Sequence, residues 1–206
     1  MEVWGAEEVN AFLATAEGTR DYALWHTLLN TGMRPSEAFG LKWEDLDSDR
    51  LRIQRAVAET MVQGVYSLEA PKTERPRRSI AISQDHLALL KEHRRRQLEE
   101  ILAAGEKYTR QEFIFATPDG NHEFTERVRG RWKTAVKRSG QRRIRLYDCR
   151  HTHATLLLRA GVNPKVVSER LGHASIVITL DTYSHVLPDM QNDAVDRLQA
   201  VLRAAK

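Results

Sequence analysis

The chain has 206 residues, a net charge of +4, 41% hydrophobic and 29% charged residues. That describes one ordinary domain with enough apolar residues for a real core, and no apolar run approaches the roughly 20 residues a membrane helix needs. The single Cys149 excludes an internal disulfide and fits a reducing cytosol, so a cytoplasmic protein is expected.

In chain order, the pattern reads as helices with a small sheet inserted. Val9, Phe12, Leu13 and Ala16 fall on one face of a first helix. Tyr22 to Asn30 is a second, apolar helix that stops near Gly32, and Pro35 suits the first turn of a short helix reaching about Leu41. From Leu51 to Val57 the residues alternate as a strand, and Val62 to Leu68 and Arg78 to Ile82 are shorter strand candidates. Lys72 to Arg77 then forms the exposed turn between the last two. Leu87, Leu90, Leu98 and Ile101 mark a long charged helix, followed by helices over Phe124–Arg138 and Cys149–Ala160. Asn163 caps a helix opened by Pro164 and closed by Gly172, and Ser175 caps the next, which carries Tyr183. Val195, Leu198 and Leu202 give a last helix an apolar stripe. The sum is a mainly α (α+β) domain with one three-stranded antiparallel sheet near its N-terminal side.

Charge is unevenly spread. Between Arg127 and Arg145 there are nine Lys or Arg and no acid, and KTERPRR (Lys72 to Arg78) adds a second basic cluster. Such clusters attract a polyphosphate backbone, although composition alone leaves a plain solvated face equally open.

The densest chemistry lies between Leu146 and His185, LYDCRHTHATLLLRAGVNPKVVSERLGHASIVITLDTYSH, with TGMRPSE far upstream. Arg34, Arg150, His173 and Tyr183 are the groups needed to hold a phosphodiester, stabilise its charged transition state and attack it covalently. Arginine forks hold phosphate oxygens bidentately and stay charged at any relevant pH. His173 sits at a helix junction where backbone amides point the same way. Each residue alone has a simpler reading: surface or ion-pair arginines, a capping histidine, a tyrosine packed inward on a face with Ile176 and Leu180. Their joint occurrence favours chemistry.

These motifs carry a resemblance. TGMRPSEAFGLKWEDLD, RHTHATLLLRAG, SERLGHAS and DTYSH resemble, in order and spacing, the catalytic domain of tyrosine recombinases, the phage integrase family. The resemblance implies that catalytic fold over residues 1–206 as a single domain, with the family's N-terminal core-binding domain absent. It implies site-specific DNA recombination and integration through a covalent 3′-phosphotyrosine, with no cofactor. By motif, Arg34 and Arg150 match the family's two arginines, His173 its phosphate-binding histidine, Tyr183 its nucleophile, and Lys72 the lysine that protonates the leaving oxygen. The implied partner is double-stranded DNA at attachment sites, bound by a homo-tetramer on paired sites and a monomer otherwise. Arg75, Arg77, Arg78, Arg129, Arg131 and Lys133 are candidate DNA contacts.

One position departs from the family. Tyr147 stands where a histidine is usual, three residues before the second arginine. A phenol with a pKa of about 10 is a poor proton acceptor near neutrality, so Tyr147 is ill suited to take the Tyr183 proton. Tyr147 could still hydrogen-bond the phosphate or orient Tyr183. His151 reads as support for the site and His153 as packing.

Cys149, His151, His153, His173 and His185 cluster in sequence, but residues two apart on a helix do not face one another and no metal-ligand spacing occurs, so no metal is expected. Two alternatives stay open. GVNPKVVSERLGHAS also resembles a helix-turn-helix of a non-catalytic regulator, which leaves Arg34, Lys72 and Tyr183 unexplained. A type IB topoisomerase shares the phosphotyrosine chemistry.

Overall fold

The computed structural model of the chain describes residues 2–59, 66–69, 78–184, 195 and 198–203. Helix α1 (Ala6–Ala16) buries Val9, Phe12 and Ala16, as the periodicity requires. Helix α2 (Tyr22–Thr31) is buried along most of its length and ends at Gly32, whose φ of 64° is left-handed. Helix α3 (Pro35–Phe39) is opened by its proline and is shorter than expected.

The expected strand over Leu51–Val57 divides in two. Strand β2 (Arg50–Ile53) is the centre of a three-stranded antiparallel sheet between β1 (Leu46–Asp47) and β5 (Arg78–Ala81), in register Leu46↔Leu51↔Ile80. Strand β3 (Ala56–Glu59) pairs instead with β4 (Tyr66–Glu69) in a separate two-stranded ribbon. Arg55 explains the break. Its guanidinium is turned towards buried Asp45 at 2.6 Å and Glu44 at 2.9 Å, which takes the chain out of the first ladder. The three-stranded sheet therefore exists, with β1 replacing the expected middle strand. Of the expected Val62–Leu68 strand and Lys72–Arg77 turn, residues 62–65 and the whole turn lie outside the described residues.

Helix α4 (Gln84–Ala104) is capped by Ser83 Oγ, which accepts from the His86 amide at 3.2 Å. Helix α5 (Thr125–Ser139) places Val128, Trp132 and Val136 inside and its basic residues outside. Trp132 then meets Trp4, Phe12 and Trp25 at centroid distances of 5.5, 4.8 and 5.2 Å, the aromatic centre of the main core. Helix α6 (Asp148–Arg159) gives Cys149 to that core and Ala154 and Leu158 to a smaller one. The smaller core is completed by Val167 and Leu171 of α7 (Pro164–Leu171) and by Tyr183 of α8 (Ile176–Tyr183). Both expected caps form: Asn163 Oδ1 accepts from Lys165 N at 2.8 Å and Ser175 Oγ from Val177 N at 3.2 Å. Residues 198–203 are helical, and Val195, Leu198 and Leu202 are all more than half exposed among the described residues.

Two buried histidines tie the helices together. His86 Nε2 lies 2.8 Å from Thr27 Oγ1. His153 has Nδ1 at 3.0 Å from the Leu29 carbonyl, and its Nε2 accepts from Arg170 Nε at 3.0 Å. Burial, aided by neighbouring positive charge, pushes both imidazoles down to about 3, from 6.5 in the unfolded chain. Below 6.5 the unfolded chain therefore binds the extra protons, and stability falls with falling pH. Melting temperatures should be level between about pH 8 and 7 and drop progressively towards about pH 5, before ordinary carboxylates titrate. A flat profile over that interval would mean these rings are not held neutral.

Candidate active site

The sequence TGMRPSE folds into the α2–α3 corner and sets out the site's charge. Pro35 opens α3 and Glu37, in its first turn, folds back so that its Oε2 accepts from the Arg34 amide at 2.7 Å. The same carboxylate takes Arg34 Nη1 at 3.0 Å and both terminal nitrogens of Arg78, at 2.9 and 2.8 Å. Burial drives the Glu37 carboxyl up, but the Arg78 fork, its charge and the Arg34 contacts outweigh this and hold it below the usual range. Arg78 is fixed further by donating Nε to the Arg170 carbonyl at 2.8 Å. Gly172, at φ 70°, lets it pass, since a Cβ there would lie 2.7 Å from Arg78 Nη1.

Arg150 projects from the first turn of α6 and is 2% exposed. Its Nη1 donates to the Gly32 carbonyl at 2.9 Å, whereas its buried Nη2 has no hydrogen-bond partner among the described residues. Burial and the nearby Arg34 lower its pKa, partly offset by Glu37, to about 10, so it remains charged at neutral pH. Arg34 and Arg78 thus share one carboxylate, and the Arg150 guanidinium lies within reach of its charge without bonding to it. An uncompensated buried donor on a charged group is costly unless a ligand completes it.

Tyr183 is 1% exposed, with its ring in the smaller core and its hydroxyl 2.8 Å from His151 Nδ1. Its inward face is shared with buried Thr179 rather than with Leu180, which is partly exposed. Burial raises the phenol to about 12 against the opposing pull of Arg150. His173 follows Gly172, and its Nδ1 lies 2.7 Å from Thr179 Oγ1. Burial, and then the charges of Arg150, Arg34 and Arg78, lower it to about 4, so its ring is neutral. Arg34, Arg150, His173 and Tyr183, drawn from four parts of the chain, thus converge with His151 on one place. The arrangement offers a cationic cradle, a neutral imidazole and a phenol, which is the equipment for nucleophilic attack on a phosphodiester.

The phage integrase family model matches residues 3–190. The chain belongs to the phage integrase family. It is 34% identical to a tyrosine recombinase XerC-like protein of Caldanaerobacter subterraneus over 96% of this chain and 54% of that protein. It is 31% identical to the ICEBs1 integrase of Bacillus subtilis over 98% of this chain and 55% of that protein. The chain therefore spans about half the length of the curated relatives it matches. Among solved structures it is similar in fold to the Tn1549 transposon integrase in complex with transposon right end DNA, with a TM-score of 0.81 and 22% identity over 96% of this chain and 66% of that one. The catalytic domain of bacteriophage HP1 integrase matches with a TM-score of 0.63 and 18% identity over 95% of this chain and 94% of that one.

The other residues singled out in this phage integrase relative are placed as follows. Tyr147 is 43% exposed at the start of α6, with its ring 5.4 Å from that of His151. Lys72, Arg75, Arg77 and His185 lie outside the described residues. Arg78, expected as a surface DNA contact, is instead almost buried on Glu37. Arg131 is engaged by Asp21 at 2.8 Å and Glu123 at 2.6 Å, and Arg129 pairs with Glu126. Exposed Lys133 lines, with Arg129, Arg143, Arg145 and Tyr147, a cleft of about 530 Å³. Cys149, His151, His153 and His173 each have different hydrogen-bond or packing partners, and among the described residues no three His, Cys, Asp or Glu side chains are grouped as metal ligands.

Glu37 is the residue that sequence reasoning missed. Its signal was present in the R-P-S-E spacing, a proline at the first helical position followed by an acid that can reach back to the preceding amide. Gly32 carries a second constraint, because its carbonyl holds Arg150 and a Cβ there would lie 2.5 Å from His153 Cδ2. Gly32→Ala should cost more than about 1 kcal/mol, read as a lower urea midpoint at unchanged slope. A midpoint equal to wild type would show that the corner is less tightly packed than described.

Proposed function

We propose that this chain is the catalytic part of a site-specific DNA recombinase that cuts and rejoins strands through a 3′-phosphotyrosyl bond at Tyr183. The observation that carries the reading is the buried Arg150 Nη2, without a hydrogen-bond partner among the described residues, beside a buried tyrosine hydroxyl, with Arg34 and His173 around them. A DNA phosphodiester completes this arrangement. Arg150 and Arg34 hold its non-bridging oxygens, and the positive excess of the cluster matches the charge that grows in the transition state. With the Thr179 hydroxyl donating to Nδ1, His173 carries its proton on Nε2 and donates it to the phosphate. Lys72 protonates the expelled 5′-oxygen. No cofactor takes part.

Double-stranded DNA at paired attachment sites is the proposed partner. Lys133, Arg129, Arg143 and Arg145 around the cleft beside Tyr147 supply backbone contacts, and the basic KTERPRR segment, with Lys72, Arg75 and Arg77, supplies others. The exposed apolar residues Val195, Leu198, Val201 and Leu202 support docking on a neighbouring protomer, giving a monomer in solution and a tetramer on paired sites. A cytoplasmic location agrees with the buried free thiol of Cys149 and with the lack, among the described residues, of a helix long and apolar enough to cross a membrane. A regulator or topoisomerase reading receives less support. The converged site has no use in the first, and the Caldanaerobacter and Bacillus relatives are named as a tyrosine recombinase and an integrase.

A nicked suicide duplex carrying the cognate site should trap the protein covalently, and Tyr183→Phe should abolish the adduct while leaving non-covalent binding. An undiminished adduct in that variant would remove Tyr183 as nucleophile. Replacing Lys133 and Arg143 together should weaken DNA binding for all sequences. It should also flatten the slope of log K against log salt by about 0.9 for each phosphate no longer neutralised. An unchanged slope would place the backbone contacts elsewhere.

A further inference from the structure

We infer that His151 is the proton acceptor for Tyr183, doing at the next residue after Arg150 what Tyr147 cannot do. The inference rests on the proposed phosphotyrosyl chemistry and concerns its first step. The Tyr183 hydroxyl proton moves to His151 Nδ1 as the phenolic oxygen bonds to phosphorus. The bond from phosphorus to the 5′-oxygen breaks, and that oxygen takes a proton from the Lys72 ammonium. On rejoining, each proton returns by the same route.

Four observations converge on this assignment. His151 Nδ1 stands 2.8 Å from the Tyr183 hydroxyl, within the reach a proton transfer requires. The two rings are tilted, with centroids 5.8 Å apart on different helices, so the contact is not imposed by chain neighbourhood. The competing groups are committed elsewhere or are poor acceptors. His153 is held by the Leu29 carbonyl and Arg170, His173 by Thr179, and Tyr147 lies partly in solvent one helical turn before His151. Tyr147 packs edge-on against the His151 ring, with centroids 5.4 Å apart at 64°.

The protonation states agree. Burial lowers the His151 pKa below 6.5 against the opposing charge of Asp148, with Arg150 and Arg145 adding to the fall. The described groups facing the ring are thus Asp148, Arg150, Arg145, Tyr147, His173 and Tyr183. A neutral imidazole has one nitrogen free to accept. The phenol, raised to about 12 by its burial, supplies almost no phenolate of its own near neutrality and depends on such an acceptor.

The test compares wild type, His151→Gln and Tyr147→Phe in single-turnover adduct formation on a nicked suicide duplex across pH. Wild type should show an acid limb with its midpoint below the ordinary imidazole value of 6.5. His151→Gln keeps a polar contact to Tyr183 without a titrating base. It should slow the adduct by roughly 10²–10⁴-fold, lose that limb and bind DNA as wild type does. Tyr147→Phe keeps the ring and should retain the acid limb, whereas loss of the limb there would transfer the role to the phenol. A duplex with sulfur in place of the bridging 5′-oxygen needs no proton on its leaving group. It should leave His151→Gln slow, and rescue by sulfur would reassign His151 as the acid. Wild-type rate and limb in His151→Gln, with Tyr183→Phe still inactive, would overturn the base while sparing the nucleophile.

A measurement without DNA stands apart from the recombinase reading. Imidazole nitrogen shifts of the full chain near neutral pH should show His151 with Nδ1 bare and the proton on Nε2. A proton fixed on Nδ1 would overturn the proposal, since the ring would then donate to Tyr183. That spectrum remains decisive if wild type forms no adduct at all, an outcome that would count against the proposed function instead.

Discussion

The structure depends on one unfavourable thing made tolerable: three guanidiniums gathered about the single carboxylate of Glu37. Like charges in a partly dry pocket repel, and bringing each there costs several kcal/mol of hydration. Glu37 offsets part of that cost by fixing Arg78 bidentately and Arg34 through both backbone and side chain. The Gly32 carbonyl offsets a little more by accepting from Arg150. A net positive excess persists and is complementary to a phosphodiester. Fixed positive excess of this kind is matched to an anion, the condition for preorganised electrostatic stabilisation.

Packing explains why the cluster holds its shape. Helix α6 sits between two cores, with Cys149 in one and Ala154 and Leu158 in the other. Arg150 and His151 leave the same helix close to this boundary, so their positions are set by both cores together. Gly32 and Gly172 act at either side, each at a left-handed backbone position where a side chain would strike a neighbour, His153 in one case and Arg78 in the other. The arginine site is thus held by apolar burial at a distance and by close approach nearby.

Much of this was legible in the sequence, and the failures have physical causes. Helices with a clear apolar period or a strong cap, such as those stopped at Gly32 and Gly172 or capped by Asn163, fall where the pattern puts them. The strands were harder. The apolar–polar alternation falters at Arg55, which falls on the face of Leu51, Ile53 and Val57, and its pairing with Asp45 marks where the run divides into two ladders. Strand β1 is two residues long, too short to leave a period. In the site, residue types and motif order revealed Arg34, Arg150, His173 and Tyr183 as a set. They could not reveal that Arg78 faces Glu37, or that His151 rather than Tyr147 reaches the tyrosine hydroxyl. Those facts belong to tertiary geometry between segments far apart in the chain.

Helix α8 is short, and among its residues only Thr179 and Tyr183 are buried. Local opening is least costly where little apolar packing has to be undone, so as far as the described residues hold it, α8 can lift off at a fraction of the free energy of global unfolding. The Tyr183 hydroxyl and the His151 ring would then part while the arginine cradle stayed assembled. For the proposed reaction, phosphate affinity and chemical competence are then separate quantities. The first is stored in the cradle between α2, α3 and α6, and the second in the fraction of time that one eight-residue helix spends docked.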